Sequence, residues 1–490
     1  MGALNVEPAL YCHVVALPYP GRGHINPIMN LCKQLVSRKD DIIITFVVTE
    51  EWLGLIGSEP KPDNIRFGTI PNVIPSERDR AKDFPGFVRA VSTLMESPFE
   101  EFLDRLDLPV SAIVADTNLV WAVGVGHRRN IPVASLWPKS GSVYSVLHHF
   151  DLLVQNGHFP VDLSERGHEI VDYIPGMSAS RLGDIQGGIL TSEIHRNFQR
   201  GAVSSVSKAQ FLLCSSVYEL EPQVFDDLKA KYPFPIYPVG PTIPYFLLDQ
   251  THTSSEIKTT TNYPDYFKWL NSQPERSVLY ISFGSFLSVS GAQLDEFVAG
   301  VRGSGTRYLW VARGDDASKV KEGCGDNGFV VGWCDQLKVL CHPSIGGFWT
   351  HCGWSSTLEA VFAGVPMLTY PILSDQMPNS KQIVDDWKIG YRVKKIGSDQ
   401  SLVTRDEISK LVMRFMDAEC LEGEFMRERC KELKKAIRQA TLKGGSTCTN
   451  LDAFINQISS DAHQDIKDYS QIISNVAHQD IKEFSQISTV

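Results

Sequence analysis

The chain has no surplus of positive charge. Its 47 Lys and Arg stand against 57 Asp and Glu, a net charge of −10, which argues against a nucleic-acid partner. It has no apolar run approaching the roughly 18 residues of a membrane-crossing helix, so no integral membrane association is expected. Its first residues, Met1-Gly2-Ala3-Leu4-Asn5, hold no charged leader before an apolar core, so no secretory signal is expected. Ten cysteines are scattered with no C-x2-C pair. They read as reduced thiols of a cytoplasmic protein. Cys334, Cys341, His342, His351 and Cys352 lie close in sequence, but without such a pair they do not read as a zinc site. No metal is expected. Neither candidate first strand is followed by G-x-G-x-x-G, the main signature of a dinucleotide-dependent oxidoreductase.

What is present is an ordinary globular composition. With 490 residues, 43% hydrophobic and 21% charged, the chain is too long for one core and can bury two. Short apolar runs alternate with helical patterns. His13 to Leu17, Ile42 to Val48, Ala112 to Ala115, Val133 to Leu136 and Gln210 to Cys214 read as buried strands, with a helix at Asn26 to Val36. The pattern restarts at Ser277 to Phe283, Tyr308 to Ala312, Gly328 to Val331, Gly346 to Thr350 and Met367 to Tyr370. The expected fold is therefore α/β, two doubly wound Rossmann-like domains facing a cleft. The expected division is 1–248, a polar Thr/Ser-rich linker at 249–263, 264–445, a helix at 446–460 returning to the first domain, and a tail at 461–490. In that tail Ala462 to Ile472 recurs as Ala477 to Ile487. Two copies make no stacked array, and the tail reads as a frayed appendage.

The most informative stretch runs from Trp333 to Gln376. The strand-like Ile345 to Thr350 ends in His351-Cys352-Gly353-Trp354-Ser355-Ser356, which opens a helix closed by Gly364 with Pro366 beyond. A helix N-terminus at a strand end presents free N–H groups and a positive dipole, a seat for phosphate. Glu359 has two readings from pattern alone. It completes a capping box, Ser356-Thr357-Leu358-Glu359, or it accepts hydrogen bonds from a diol. Asp116 likewise reads as a helix N-cap or as a partner for a catalytic base. His24, in Gly21-Arg22-Gly23-His24-Ile25-Asn26-Pro27 after the first strand, is of a type suited to general-base chemistry near neutral pH.

Trp333, Gln336, the His351 to Ser356 turn, Glu359 and the Asp375-Gln376 pair together resemble the signature box of plant secondary-product UDP-glycosyltransferases. The resemblance covers roughly residues 10 to 458 and implies the GT-B fold, with the first domain binding acceptor and the second UDP-sugar. It implies Trp333 stacked on uracil, Cys334 touching uracil through its backbone, and Gln336 facing the nucleoside. It implies Glu359 on the ribose, His351, Gly353, Ser355 and Ser356 around the diphosphate, and Ser285 of Ser282-Phe283-Gly284-Ser285 near the phosphates. Asp375 and Gln376 would grip sugar hydroxyls with Trp354 nearby, and Gln376 goes with glucose. His24 would be the base and Asp116 its orienter. UDP-glucose is then a co-substrate, no further cofactor is implied, and the acceptor is a small lipophilic molecule such as a flavonoid, phenolic, terpenoid or hormone. A monomer is expected.

Four positions depart from the family pattern. Cys334 stands for Ala, and Asp335 stands for Pro, which should loosen its loop. Ser355 stands for Asn, and Pro138 for a Thr that contacts sugar. The last two favour the alternative of a UDP-sugar-binding protein with little turnover; His24 and Asp116 oppose it.

Overall fold

The computed structural model describes residues 11–459 apart from 81, 187–192, 247, 249–263, 285–288, 395–401 and 418. Ser285, the expected linker and the duplicated tail lie outside the described residues. A seven-stranded parallel sheet forms the first half. Its order is Ile65–Ile70, Ile42–Thr49, Cys12–Leu17, Ala112–Asp116, Val133–Trp137, Phe211–Cys214 and Ile236–Pro238. A six-stranded parallel sheet forms the second, ordered Gly328–Val331, Arg307–Val311, Val278–Ser282, Ile345–Thr350, Met367–Thr369 and Gly390–Arg392. The central strands carry Val, Ile and Ala runs because helices cover both faces. Cys12–Leu17, for example, is buried at all six positions.

Each sheet reverses its direction of winding at one point. In the first sheet this lies between Cys12–Leu17 and Ala112–Asp116; in the second, between Val278–Ser282 and Ile345–Thr350. Ligands of open α/β sheets bind beyond the carboxyl ends of the strands flanking such a switch. Those four ends carry His24, Asp116, Ser282-Phe283-Gly284 and His351-Cys352-Gly353.

The apolar cores follow from the same strands. Val14, Ala16, Ile44, Phe46 and Val114 face one layer of helices, and Val15, Val47, Ile113 and Ala115 face the other. The helix Ser446–Ile458 buries Leu451, Phe454, Ile455 and Ile458 in the first of these cores. At roughly 1.5–3 kcal/mol per fully buried side chain, this packing outweighs the part-exposed Arg38–Asp452 pair at 2.8 Å, worth about 1 kcal/mol at most.

Several elements differ from the sequence reading. Strands Ile65–Ile70, Ile236–Pro238 and Gly390–Arg392 were not expected, nor was the antiparallel pair Ile170–Val171 with Ser180–Arg181. The first three are sheet edges, short or only alternately buried. The first long helix starts at Arg22 rather than Asn26 and contains Pro27. His24 N–H and Ile25 N–H both donate to Gly21 O at 2.9 Å, so helical bonding begins before the proline. Ile25 is buried with Ile28, Leu31 and Leu35, which extends the apolar stripe by one turn. His24 therefore sits in the first turn of a helix, not in a loop.

Candidate active site

His24 and Asp116 meet across the first switch point. Asp116 ends its strand fully buried, and its Oδ2 lies 2.7 Å from His24 Nδ1. Its Oδ1 accepts from Asn118 N–H at 2.9 Å. It does not cap the following helix, whose cap residue is Val120. The N-cap reading of Asp116 is thus not what the fold uses. With Nδ1 held by the carboxylate, the free ring nitrogen is Nε2, and His24 lines the cleft between the domains. Tyr19 packs against it, ring centroids 5.0 Å apart.

The cleft has a volume of about 850 Å³, ample for a drug-sized or nucleotide-sized ligand. Trp333, Cys334, Gln336, His351, Gly353, Trp354, Ser355, Ser356, Glu359, Asp375 and Gln376 all line it with His24. Asp116 stands behind His24. Trp333 presents its indole 68% exposed, a flat apolar face open to a base. The helix Trp354–Ala363 has Gly353 as its cap residue and no side-chain cap. Its first N–H groups are thus left for a ligand. Ser356 lies inside the helix, so the capping-box reading of Glu359 fails. Ser356 Oγ instead accepts from Gln336 Nε2 at 2.9 Å.

That Gln336 amide also donates to Glu359 Oε2 at 2.5 Å, while its carbonyl accepts from Tyr280 OH at 3.0 Å. Gln336 thus bridges Tyr280, Ser356 and Glu359 while lining the cleft. Burial pushes the Glu359 carboxyl up to about 7, against the Gln336 hydrogen bond and with help from nearby Asp335. Asp335 is held by contacts of its own. It caps the helix Gln336–Leu340 by accepting from Lys338 N–H at 3.3 Å, pairs with Lys338 Nζ at 3.0 Å, and donates its own N–H to Tyr266 OH.

His351 is wedged between two glycines. A methyl group at Gly284 or Gly353 would lie 2.7 or 2.6 Å from its Nε2, and Gly284 also has φ 83°. No larger residue fits either position. Burial pushes His351 down to about 4, so it is neutral near pH 7. The positive potential at this turn therefore comes from the helix terminus.

Further along the cleft, Gln376 Oε1 accepts from the N–H groups of Ile372 and Leu373 at 2.7 and 2.9 Å. This leaves its amide nitrogen for a ligand. Asp375 Oδ2 accepts from Asn379 Nδ2 at 3.0 Å. Trp354 lines the same cleft as this pair. Its indole N–H donates to Ser215 O at 3.0 Å, and the side chain is buried in the seam between the domains.

Two contributors escaped the sequence reading. Lys139 lines the cleft while only 8% exposed, and Gln199 lines it from the helix Glu193–Val206. A lysine two residues beyond the buried strand Val133–Trp137 was the available signal. Among the described residues, no helix is long and apolar enough to cross a membrane, and all ten cysteines are free.

Comparison with known proteins adds the family. A model described as UDP-glucoronosyl and UDP-glucosyl transferase matches residues 227–407. UDP-glycosyltransferase 87A1 of Arabidopsis thaliana is 52% identical over 447 residues, covering 90% of this chain and 99% of that protein. UDP-glycosyltransferase 87A2 of the same plant is 50% identical, covering 92% and 98%. Among solved structures, Phytolacca americana UGT2 complexed with UDP-2fluoro-glucose and pterostilbene superposes with a TM-score of 0.75. It is 26% identical and covers 91% of this chain and 99% of its own. Medicago truncatula UGT71G1 complexed with UDP-glucose shares the fold, with a TM-score of 0.77 at 23% identity over 92% and 99%. The fold is GT-B, and the chain belongs to the plant UDP-glycosyltransferase family as a glycosyltransferase enzyme.

Proposed function

We propose that the enzyme moves glucose from UDP-glucose to a hydroxyl of a small lipophilic acceptor by direct, inverting displacement. The observation that carries this reading is the His24–Asp116 contact of 2.7 Å on the cleft that also holds Trp333 and the open helix terminus. His24 Nε2 takes the acceptor hydroxyl proton as that oxygen bonds to the anomeric carbon. The bond from that carbon to the UDP oxygen breaks, and UDP leaves with the electron pair toward the N-terminus of Trp354–Ala363. Asp116 fixes the tautomer and stabilises the imidazolium. Trp333 stacks on uracil, with Cys334 contacting it through the backbone. Glu359 holds the ribose diol. His351, Gly353, Ser355 and Ser356 surround the diphosphate. Asp375 and the Gln376 amide bind sugar hydroxyls.

The donor assignment has its own test. In competition, UDP-glucose is expected to exceed UDP-galactose and UDP-xylose in kcat/KM. A preference for either competitor would remove glucose from the reading.

A second test uses Glu359. Its carboxyl, raised to about 7, must be ionised to accept from two ribose hydroxyls. Binding therefore releases a proton below pH 7 and none well above it. Affinity for UDP-glucose, whose own diphosphate does not titrate here, is expected to rise between pH 5.5 and 7.5 and then level off. The slope is up to about tenfold per pH unit at the acid end. Glu359→Gln should bind more weakly at pH 8 and lose that part of the slope. Calorimetric titration reads both; an identical pH profile in the variant would take Glu359 off the ribose.

A further inference from the structure

Lys139 is a buried cation to which the mechanism gives no role. It follows Pro138 at the end of the strand Val133–Trp137, in the wall of the cleft and 8% exposed. Its ammonium donates to Gln199 Oε1 at 2.5 Å and sits 4.8 Å from the Trp137 ring centroid. An ammonium has three N–H donors, and a neutral amide oxygen occupies one of them. Among the described residues no carboxylate lies within ion-pair distance of it. The acidic groups that act on it are Asp375 and Asp116, which partly oppose the lowering of its pKa by burial. Both are engaged elsewhere, Asp375 with Asn379 and Asp116 with His24 and Asn118. Buried charges are ordinarily paired. Here the missing counter-charge faces the space into which substrate comes.

We propose that Lys139 reads a carboxylate on the acceptor, so that the enzyme favours a hydroxy acid over its neutral ester. This rests on the transfer reaction proposed above. The carboxylate is a handle held at Lys139, while a separate hydroxyl on the same molecule faces His24. The acceptor is its source rather than the donor sugar for two reasons. Gln199, Trp137 and the strand that carries Lys139 all belong to the first sheet and its helices. On the other side, the Asp375 carboxylate, proposed above to hold sugar hydroxyls, would repel a carboxylate on the donor sugar. A charge-assisted hydrogen bond of this kind corresponds to roughly a 10- to 100-fold preference.

The test uses 4-hydroxycinnamic and 4-hydroxybenzoic acids beside their methyl esters, with UDP-glucose, in the native enzyme, Lys139→Met and Lys139→Gln. Melting temperatures establish that the variants are folded. Phenolic glucosides are measured by mass, and each acid and ester is also titrated into UDP-loaded enzyme. The native enzyme is expected to prefer the acid by 10-fold or more in kcat/KM and in affinity, and both variants to bring that ratio towards one. Equal ratios in native and variant enzymes, or no preference in the native one, overturn the inference. If acids bind with the predicted Lys139 dependence but no acceptor is glucosylated, the transfer reading fails while the carboxylate site stands. If acids and esters bind alike and neither is glucosylated, both fall. A parallel arm compares UDP-glucuronate with UDP-glucose on the esters; a Lys139-dependent gain for glucuronate assigns the carboxylate to the donor and overturns the acceptor assignment.

Discussion

His24→Ala is expected to lower turnover by roughly 10²- to 10⁴-fold, the contribution of a well-placed general base, while UDP affinity stays within about twofold. The separation follows from the geometry. The imidazole bonds to Asp116 of the first domain, whereas the seats proposed for uracil, ribose and diphosphate are built from residues 333–359 of the second. The substitution also removes the partner of a buried carboxylate oxygen, and the vacated space opens on the cleft, where water can reach that oxygen. Some loss of melting temperature is therefore expected along with the kinetic effect. His24→Gln, which fills the space and keeps a donor for Asp116, should restore stability and leave turnover low. Stopped-assay product counts and UDP titration measure the two halves of the claim. Near-normal glucosylation by either variant would remove His24 from the proton transfer.

The sequence made the site more legible than the sheet edges. Strands inside the sheet such as Phe211–Cys214 are apolar throughout because both faces are covered, and such runs stand out. The edge strand Ile65–Ile70 keeps Arg66 exposed, so its hydrophobic signal is diluted. Gly390–Arg392 is three residues long and leaves only Gly390 buried. At the site, residue types announced themselves where chemistry constrains them: a Gly-bounded turn after a strand, a histidine beside a helix start, an acid at a strand end. What stayed hidden was which of several partners each would choose. Gln336 fits a nucleoside contact by position, but only the fold brings Tyr280, Ser356 and Glu359 round its amide. That the Trp354 indole donates to Ser215 O, 139 residues away, likewise shows only in the fold. Lys139 lies 60 residues from its partner Gln199, beyond the reach of any local pattern. Asp335 read as a loss of proline stiffness, and its cap on the helix Gln336–Leu340 shows only in the fold.

Asp116→Asn is expected to cut kcat by about 10³- to 10⁴-fold with little change in fold or in KM for UDP-glucose, and the cause is a tautomer. Asp116 offers two acceptor oxygens, one to the fixed donor Asn118 N–H at 2.9 Å and one to His24 Nδ1 at 2.7 Å. Asparagine keeps only one oxygen. If that oxygen turns to His24, its NH2 faces the Asn118 N–H. Two buried donors then oppose one another, at a cost of about 1–3 kcal/mol for the unsatisfied group. The favoured orientation gives the oxygen to Asn118 and points the NH2 at His24 Nδ1. That nitrogen must then accept, so the ring proton moves to Nε2, and Nε2 can no longer take a proton from the acceptor. Loss of the right tautomer through the same substitution costs about 10⁴-fold in a serine protease triad. Here it should likewise exceed the effect of removing an ordinary hydrogen bond. Because the two residues act as one unit, their losses should not multiply. The double variant His24→Ala/Asp116→Asn should be no slower than His24→Ala by more than a small factor. Multiplying losses would mean that Asp116 acts on the reaction by a route that does not pass through His24.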